Sequence, residues 1–309
     1  MKAIVDHFPI GKYIEHTKIS GGKTSDTYLI KTDIGKFVLQ QLNEIYNESM
    51  IRDHIELYFL ISDKIKIPEC VNTRENKYLL NYEGKFYRVM KHIESDENPI
   101  LNNKKIKNMS EVIMKFHNLT ENITKLRYNG LKIHDRSRIK NKLISIKEEY
   151  KKTEKWKIYE DIYDYLFSEI QKYKLPSEKQ LIHGDMKFNN FLFKKDKVVG
   201  LVDIASLMIR SKYYDIGDFL RNISNADGLF DIKKFNYGLK CFEDINYGFA
   251  IYATKLIGLE LCSRYLIDIF ELKHFKFDNK KFKDLEESNS ASLKRHLKFY
   301  MTMNEMLPN

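Results

Sequence analysis

Short β-prone runs occupy the first hundred residues, and apolar positions at three-to-four spacing dominate the rest. Thr27–Thr32 and Lys36–Gln40 flank Asp33-Ile34-Gly35, whose turn chemistry predicts a hairpin. One helix follows, capped by Asn47 or Ser49, with Ile51, Ile55, Tyr58 and Leu57, Leu60, Ile61 at helical spacing. Strands return as Tyr78–Leu80 and Phe86–Met90 around Asn81-Tyr82-Glu83-Gly84, a second hairpin by the same logic. Beyond Pro99, Ile106, Met109, Ile113 and Phe116 share one face of a helix ending near Asn118. Further helices are expected over 138–152, 156–173, 249–270 and 288–305, interrupted by a β-rich stretch at 180–204. The boundary therefore falls near residue 95, giving an α+β chain with a β-rich domain over 1–95 and a mainly helical one over 96–309. Neither a repeat nor a Pro/Ser-rich linker breaks this pattern.

Composition narrows the possibilities. A chain of 309 residues that is 43% hydrophobic and 31% charged has ample length for a large core and lies far from the signature of disorder. The net charge of +10 raises the question of a nucleic-acid or anionic-lipid partner. The lysines are scattered among Ile, Asn and Tyr, without a long basic run or a nucleic-acid-binding signature, so neither partner is expected. Cys70, Cys241 and Cys262 are odd in number and far apart, which suits reduced thiols. Met1–Tyr13 carries Lys2, Asp6 and Lys12 and reads as no signal peptide, and no apolar run approaches the ~18 residues of a membrane span. A cytoplasmic protein is the expectation.

The informative string is His183-Gly184-Asp185-Met186-Lys187-Phe188-Asn189-Asn190, followed by Phe191-Leu192-Phe193 and then Val202-Asp203. Phosphoryl transfer needs a carboxylate that positions the attacking hydroxyl and takes its proton, plus oxygen ligands that hold Mg²⁺ against a triphosphate. Asp185 suits the first task. Asn190 can offer an amide oxygen, and Asp203, across a strand hairpin, a charged one. Turn-forming Asp and Asn in an ordinary β-hairpin are the competing reading.

Protein kinases carry the matching pieces as His-Arg-Asp-x-x-x-x-Asn and Asp-Phe-Gly. With Gly184 in place of Arg and Ile204 after the second Asp, the segment resembles the aminoglycoside phosphotransferase and choline kinase superfamily. Tyr214-Asp215-Ile216-Gly217-Asp218 is similar to a segment of N-acetylhexosamine 1-kinases within it. The resemblance implies a bilobal protein-kinase-like fold, with a small β-rich N-lobe over 1–95 and a large helical C-lobe over 96–309. It also implies a cytoplasmic small-molecule kinase, monomer or homodimer, that uses ATP and Mg²⁺. Asp215 would buttress the catalytic loop, although Asp215 and Asp218 also read as helix caps.

Ser20–Tyr28 resembles the phosphate-covering loop of that group, with Gly21, Gly22, Lys23 and Thr24 against the nucleotide. A P-loop is the lesser reading of Gly22-Lys23-Thr24, because Thr17 stands where that motif needs Gly and a strand follows. Arg88–Glu94 sits where the hinge to adenine is implied, nominating Met90 and His92, although an ordinary strand end reads the same. Gln40 occupies the place of the nucleotide-binding lysine of protein kinases, so Lys23 or Lys36 would compensate, with Glu48 or Glu56 as a helix partner. His134-Asp135-Arg136-Ser137-Arg138 resembles the sugar-site loop of N-acetylhexosamine 1-kinases, nominating His134, Asp135 and Arg138; a capped helix start fits equally. Arg264–Asp268 resembles a C-terminal helix of the same enzymes. Residues 204–309 hold sixteen Lys/Arg against fourteen Asp/Glu, a balance that weighs against a polycationic aminoglycoside acceptor. A neutral amino sugar is favoured, with choline or ethanolamine, an aminoglycoside, or a nucleotide-binding regulator without turnover, as alternatives.

Overall fold

The computed structural model describes residues 1–19, 26–42, 47–128 and 134–308. The chain divides into two compact units. The first gathers Met1–Ile100, Lys125–Leu131 and Asn189–Leu207, and the second gathers Leu101–Thr124, Lys132–Phe188 and Met208–Asn309. Two later segments thus join the N-terminal hundred residues, where the sequence pattern suggests a single cut near residue 95.

The first unit is sheet-rich. A short helix α1 (Lys2–Val5) precedes β1 (Tyr13–Ile19), β2 (Asp26–Thr32) and β3 (Gly35–Leu42); then come α2 (Glu48–Ile61), β4 (Cys70–Val71), β5 (Leu80–Tyr82) and β6 (Lys85–Lys91). The strands form an antiparallel sheet in the order β1-β2-β3-β6-β4, with β5 also on β6. Its core joins Ile4, Val5, Phe8 and Ile10 to Ile30, Leu39 and Val89. The first predicted hairpin is present: Thr32 pairs with Gly35, and the Thr32 hydroxyl donates to Gly35 O at 3.1 Å. The second turns later than expected. Glu83 (φ 50°) and Gly84 (φ 74°) are both left-handed, as a two-residue hairpin turn of the mirror-image class requires, so the first strand is Leu80–Tyr82 rather than Tyr78–Leu80.

Asn47, not Ser49, caps α2 by accepting from Met50 N–H at 3.2 Å. The helix buries Ile51, Leu57 and Ile61 together with Asp53 and His54, while Leu60 is exposed. Asp53 accepts the backbone N–H groups of Arg127 (2.8 Å) and Tyr128 (3.0 Å), which ties that later stretch to the first unit and satisfies the buried carboxylate.

The second unit is helical. It contains α3 (Asn103–Thr120), α4 (Arg136–Tyr150) and α5 (Glu154–Glu169), and then β7 (Gln180–Ile182). The chain next contributes the hairpin of β8 (Phe191–Lys194) and β9 (Lys197–Leu201) to the first unit. It returns with β10 (Met208–Arg210), α6 (Tyr213–Ile223), the small hairpin of β11 (Asn225–Ala226) and β12 (Leu229–Phe230), α7 (Ile232–Lys240), α8 (Tyr247–Glu271) and α9 (Leu285–Met306). Ile106, Met109, Ile113 and Phe116 of α3 are all fully buried, as their spacing predicts.

Helix α8 is buried along most of its length and packs against α6 and α9. Gly217 permits the α6 contact, because a Cβ there would lie 2.6 Å from the Ala253 carbonyl carbon and 2.8 Å from Thr254 N. At the end of α8, Leu272 turns left-handed (φ 54°), and Asp268 accepts the N–H groups of Lys273, His274 and Phe275 and the Asn289 side-chain amide. All three cysteines are free thiols, and burial pushes Cys262 up to about 12. No helix among the described residues is long and apolar enough to cross a membrane.

Candidate active site

In the second unit, β7 is held by β10 through Ile182 and Met208, and the 183–187 loop leaves from its end. Gly184 has φ +81°, a conformation that disfavours any residue with a Cβ. The loop is pinned from behind by Asp215 in the first turn of α6. Its fully buried carboxylate accepts His183 N–H at 2.9 Å, Gly184 N–H at 2.7 Å and His117 Nε2 at 2.9 Å. Burial alone would raise the Asp215 pKa. The His117 hydrogen bond and charge, the nearby His183 and the Gly184 amide outweigh it, so the group sits below its ordinary value. Asp215 therefore buttresses the loop and caps no side-chain-free helix end, since α6 starts from Lys212 without a side-chain cap bond.

Asp185 is the carboxylate of this loop that retains exposure, about a fifth of its side chain. Its backbone N–H donates to His183 Nδ1 at 3.3 Å, and its Oδ2 takes an ion pair from Lys187 Nζ at 2.5 Å. Lys187, two residues after the candidate base, is a cation that the sequence places beside Asp185 without a motif to mark it. Phe188 N–H donates to Asn222 Oδ1 at 2.8 Å, fixing the exit of the loop to α6.

The two candidate metal ligands lie in the first unit. Asn190 is buried and its backbone oxygen accepts Val202 N–H at 2.9 Å. Since Phe191 pairs with Leu201 across β8 and β9, the register brings Asn190 to Val202-Asp203 at the open end of the hairpin. Asp203 is left-handed (φ 64°), a strained state for a residue with a side chain that recurs at functional positions. One amide and one carboxylate oxygen make a hard, incomplete donor set. That fits Mg²⁺, which keeps water and phosphate oxygens among its ligands, and not a closed protein cage; no cluster of three or more His, Cys, Asp or Glu fit to hold a metal exists among the described residues.

On the sheet, Gln40 of β3 stands opposite Arg88 of β6, and its Oε1 accepts Arg88 Nε–H at 2.8 Å. The other candidates for this neighbourhood are engaged elsewhere: Lys36 lies 3.8 Å from Glu94, Glu48 pairs with Arg52, and Glu56 pairs with Arg127. The α2 residue that reaches this strand pair is His54, 3.4 Å from Arg88 through Nδ1. Met90 is buried opposite Val38 and Cys70, and His92, just past β6, donates its N–H to Lys36 O; burial and the Lys36 charge lower the His92 pKa. Gly21, Gly22, Lys23 and Thr24 lie outside the described residues.

His134, Asp135 and Arg138 open α4 in the second unit. Asp135 caps it by accepting Arg138 N–H at 3.0 Å. His134 is buried, with Nδ1 2.7 Å from Glu260 Oε2 on α8 and its ring 5.1 Å from that of Tyr214. Burial lowers its pKa, but the hydrogen bond and charge of Glu260, aided by Asp218, outweigh that and raise it. Burial depresses Arg264 on the same helix, which feels the charges of Glu260, Asp185 and Arg138. Glu260, absent from the sequence reading because a lone Glu in an apolar helix carries no motif, is 2% exposed and its Oε1 has no hydrogen-bond partner, nor has Ser263 Oγ one turn on.

A carboxylate on a clamped strand-to-loop turn, followed along the chain by an Asn and an Asp on a hairpin, is the order of groups that phosphoryl transfer would use. Residues 15–244 match the profile of the phosphotransferase enzyme family known as APH, and the chain belongs to that family, whose members transfer a phosphoryl group to a hydroxyl acceptor. No curated protein matches the chain in sequence. Among solved structures it is similar to an amicoumacin kinase in complex with AMP-PNP, Ca²⁺ and Ami, at 14% identity and a TM-score of 0.68 over 99% of this chain and 92% of that one. It is also similar to aminoglycoside 2′-phosphotransferase-IIIa in its GDP complex (14%, TM-score 0.66, 95% of each chain). A microcompartment-associated aminopropanol kinase gives 11% and a TM-score of 0.65 over 98% and 95%. The likeness is one of fold, and it is the kinase-like fold.

Proposed function

We propose that the chain is an ATP- and Mg²⁺-dependent kinase that transfers the γ-phosphoryl group to a hydroxyl of a small polar acceptor, an amino sugar such as an N-acetylhexosamine. The observation that carries this reading is Asp185. It is presented on a loop whose two preceding N–H groups are fixed by one buried carboxylate, and it has a lysine ammonium beside it. Fixed geometry is what a base that orients a hydroxyl needs. Asp185 accepts the acceptor proton, with the Lys187 ammonium beside it. Asn190 and Asp203 hold Mg²⁺, which offsets charge on the triphosphate. Gly21, Gly22, Lys23 and Thr24 cover the phosphates, and Gln40, Met90 and His92 belong to the nucleotide side.

His134, Asp135 and Arg138 belong to the acceptor side. The unpartnered Glu260 Oε1, on the carboxylate that pairs with His134, favours an acceptor rich in hydroxyl and amide groups over choline, whose quaternary ammonium donates no hydrogen bond. The near balance of charge in residues 204–309 supports a neutral acceptor over a polycation.

The test is ADP release from Mg·ATP by the purified chain with N-acetylglucosamine, N-acetylgalactosamine, other sugars, choline, ethanolamine and kanamycin. Stimulation by an amino sugar is expected, and Asp185→Asn should lose about 10²–10⁴-fold in kcat while still binding nucleotide. Stimulation by choline or kanamycin alone overturns the acceptor; nucleotide binding without turnover on any acceptor overturns the kinase in favour of a regulator.

A further inference from the structure

Arg88 is a buried cation whose place the sequence pattern does not explain. It is 3% exposed, in the middle of β6. Its Nε–H goes to Gln40 Oε1 at 2.8 Å and one terminal nitrogen to His54 Nδ1 at 3.4 Å. The His54 Nε2 faces Pro68 O at 2.8 Å. A carbonyl only accepts and a guanidinium only donates, so Nε2 carries the proton, Nδ1 offers its lone pair, and the imidazole is neutral. None of these partners is an anion.

The acids nearby are committed elsewhere: Asp53 to the Arg127 and Tyr128 amides, Glu56 to Arg127, Glu48 to Arg52, and Glu69 to Lys91 and Tyr58. No carboxylate among the described residues pairs with Arg88. A guanidinium withdrawn from water without a counter-charge is costly, and the cost falls when an anion is bound.

Because Arg88 fixes Gln40 Oε1, the Gln40 Nε2 must turn the other way, where the described contact is a long 3.4 Å one to Thr27 Oγ1 on β2. Thr27, Gln40 and Arg88 are cross-strand neighbours on one face of the sheet. The position where protein kinases hold their phosphate lysine is thus occupied by an amide that is wired to an arginine one strand over. Resting on the ATP reading above, we propose that Arg88 and the Gln40 amide together form the anion site for the nucleotide phosphates, with the charge moved from β3 to β6.

The experiment is calorimetric titration of the full chain with ADP and with adenosine. Arg88→Gln should weaken ADP by about 10–100-fold, the scale of one charge-assisted contact, and leave adenosine unchanged. Adding Gln40→Lys to it should restore about tenfold or more of the ADP affinity. Gln40→Ala removes only the amide and keeps the buried arginine, so it serves if Arg88→Gln does not fold; a loss of about tenfold for ADP alone is expected. ADP binding as in wild type in either variant, or equal losses for ADP and adenosine, overturns the proposal. A wild-type chain that binds neither ligand defeats the ATP reading itself, and this inference with it.

Discussion

Replacing Asp215 with Asn tests the clamp on which the catalytic loop depends. The carboxylate accepts two backbone N–H groups and the His117 imidazole from a fully buried position. Asn keeps one acceptor oxygen, but its NH₂ then meets a donor, so at least one of these N–H groups is left buried without a partner. An unmet buried donor costs about 1–3 kcal/mol. With roughly 2–4 °C per kcal/mol for a chain of this class, a fall in melting temperature of roughly 5–10 °C is expected at neutral pH.

The wild-type acid limb supplies an internal control. The Asp215 pKa is depressed below its ordinary 3.8, so its stabilisation is complete above that value and is lost as pH falls through the depressed one. Asp215→Asn should therefore lose least at the acid end. In the transfer assay kcat should fall while nucleotide affinity holds, because the loop geometry, and not the sheet, is disturbed. Melting within 2 °C of wild type (about half a kcal/mol) together with an unchanged kcat would refute the clamp.

Two other perturbations are equally direct. Gly217→Ala places a methyl group against the Ala253 backbone at 2.6 Å, where no flexible side chain can yield, and should cost about 3 kcal/mol by thermal melting; a wild-type melt would show that α6 and α8 separate freely. Glu260→Gln removes the partner that raises the His134 pKa above 6.5. That contribution is fully present below about pH 6.5 and disappears as pH rises through the raised value, so the wild-type melting temperature should fall over this range and the variant's should not; parallel curves would contradict the pairing.

What could be read from the chain, and what could not, follows from the range of the interactions. The α3 face of Ile106, Met109, Ile113 and Phe116 was legible because helical periodicity is local, and the Asn47 cap because its partner is three residues away. The second hairpin was misplaced by two residues because Glu83 takes a left-handed conformation that its side chain does not advertise. The Asp185, Asn190 and Asp203 string was visible as spacing, but its division between two compact units was not, since contacts of 189–207 with the N-terminal hundred residues leave no local trace. Glu260 and Arg88 were missed for a related reason. Each gains its meaning from a partner on another element, His134 at a separation of 126 residues and Gln40 at 48.

The turn that opens α6 shows what kind of rule a short motif can encode. Within four residues, Asp215 addresses the 183–184 loop, Gly217 admits α8, and Asp218 pairs with Arg221 near His134. Successive helical residues point about 100° apart, so these contacts leave in different directions by virtue of phase alone. Inserting or deleting one residue there would swing the carboxylate off the loop and bring a side chain against Ala253, with every amino acid of the motif still present. The Tyr-Asp-x-Gly-Asp spelling is thus an angular specification, legible as letters because a helix converts distance along the chain into direction.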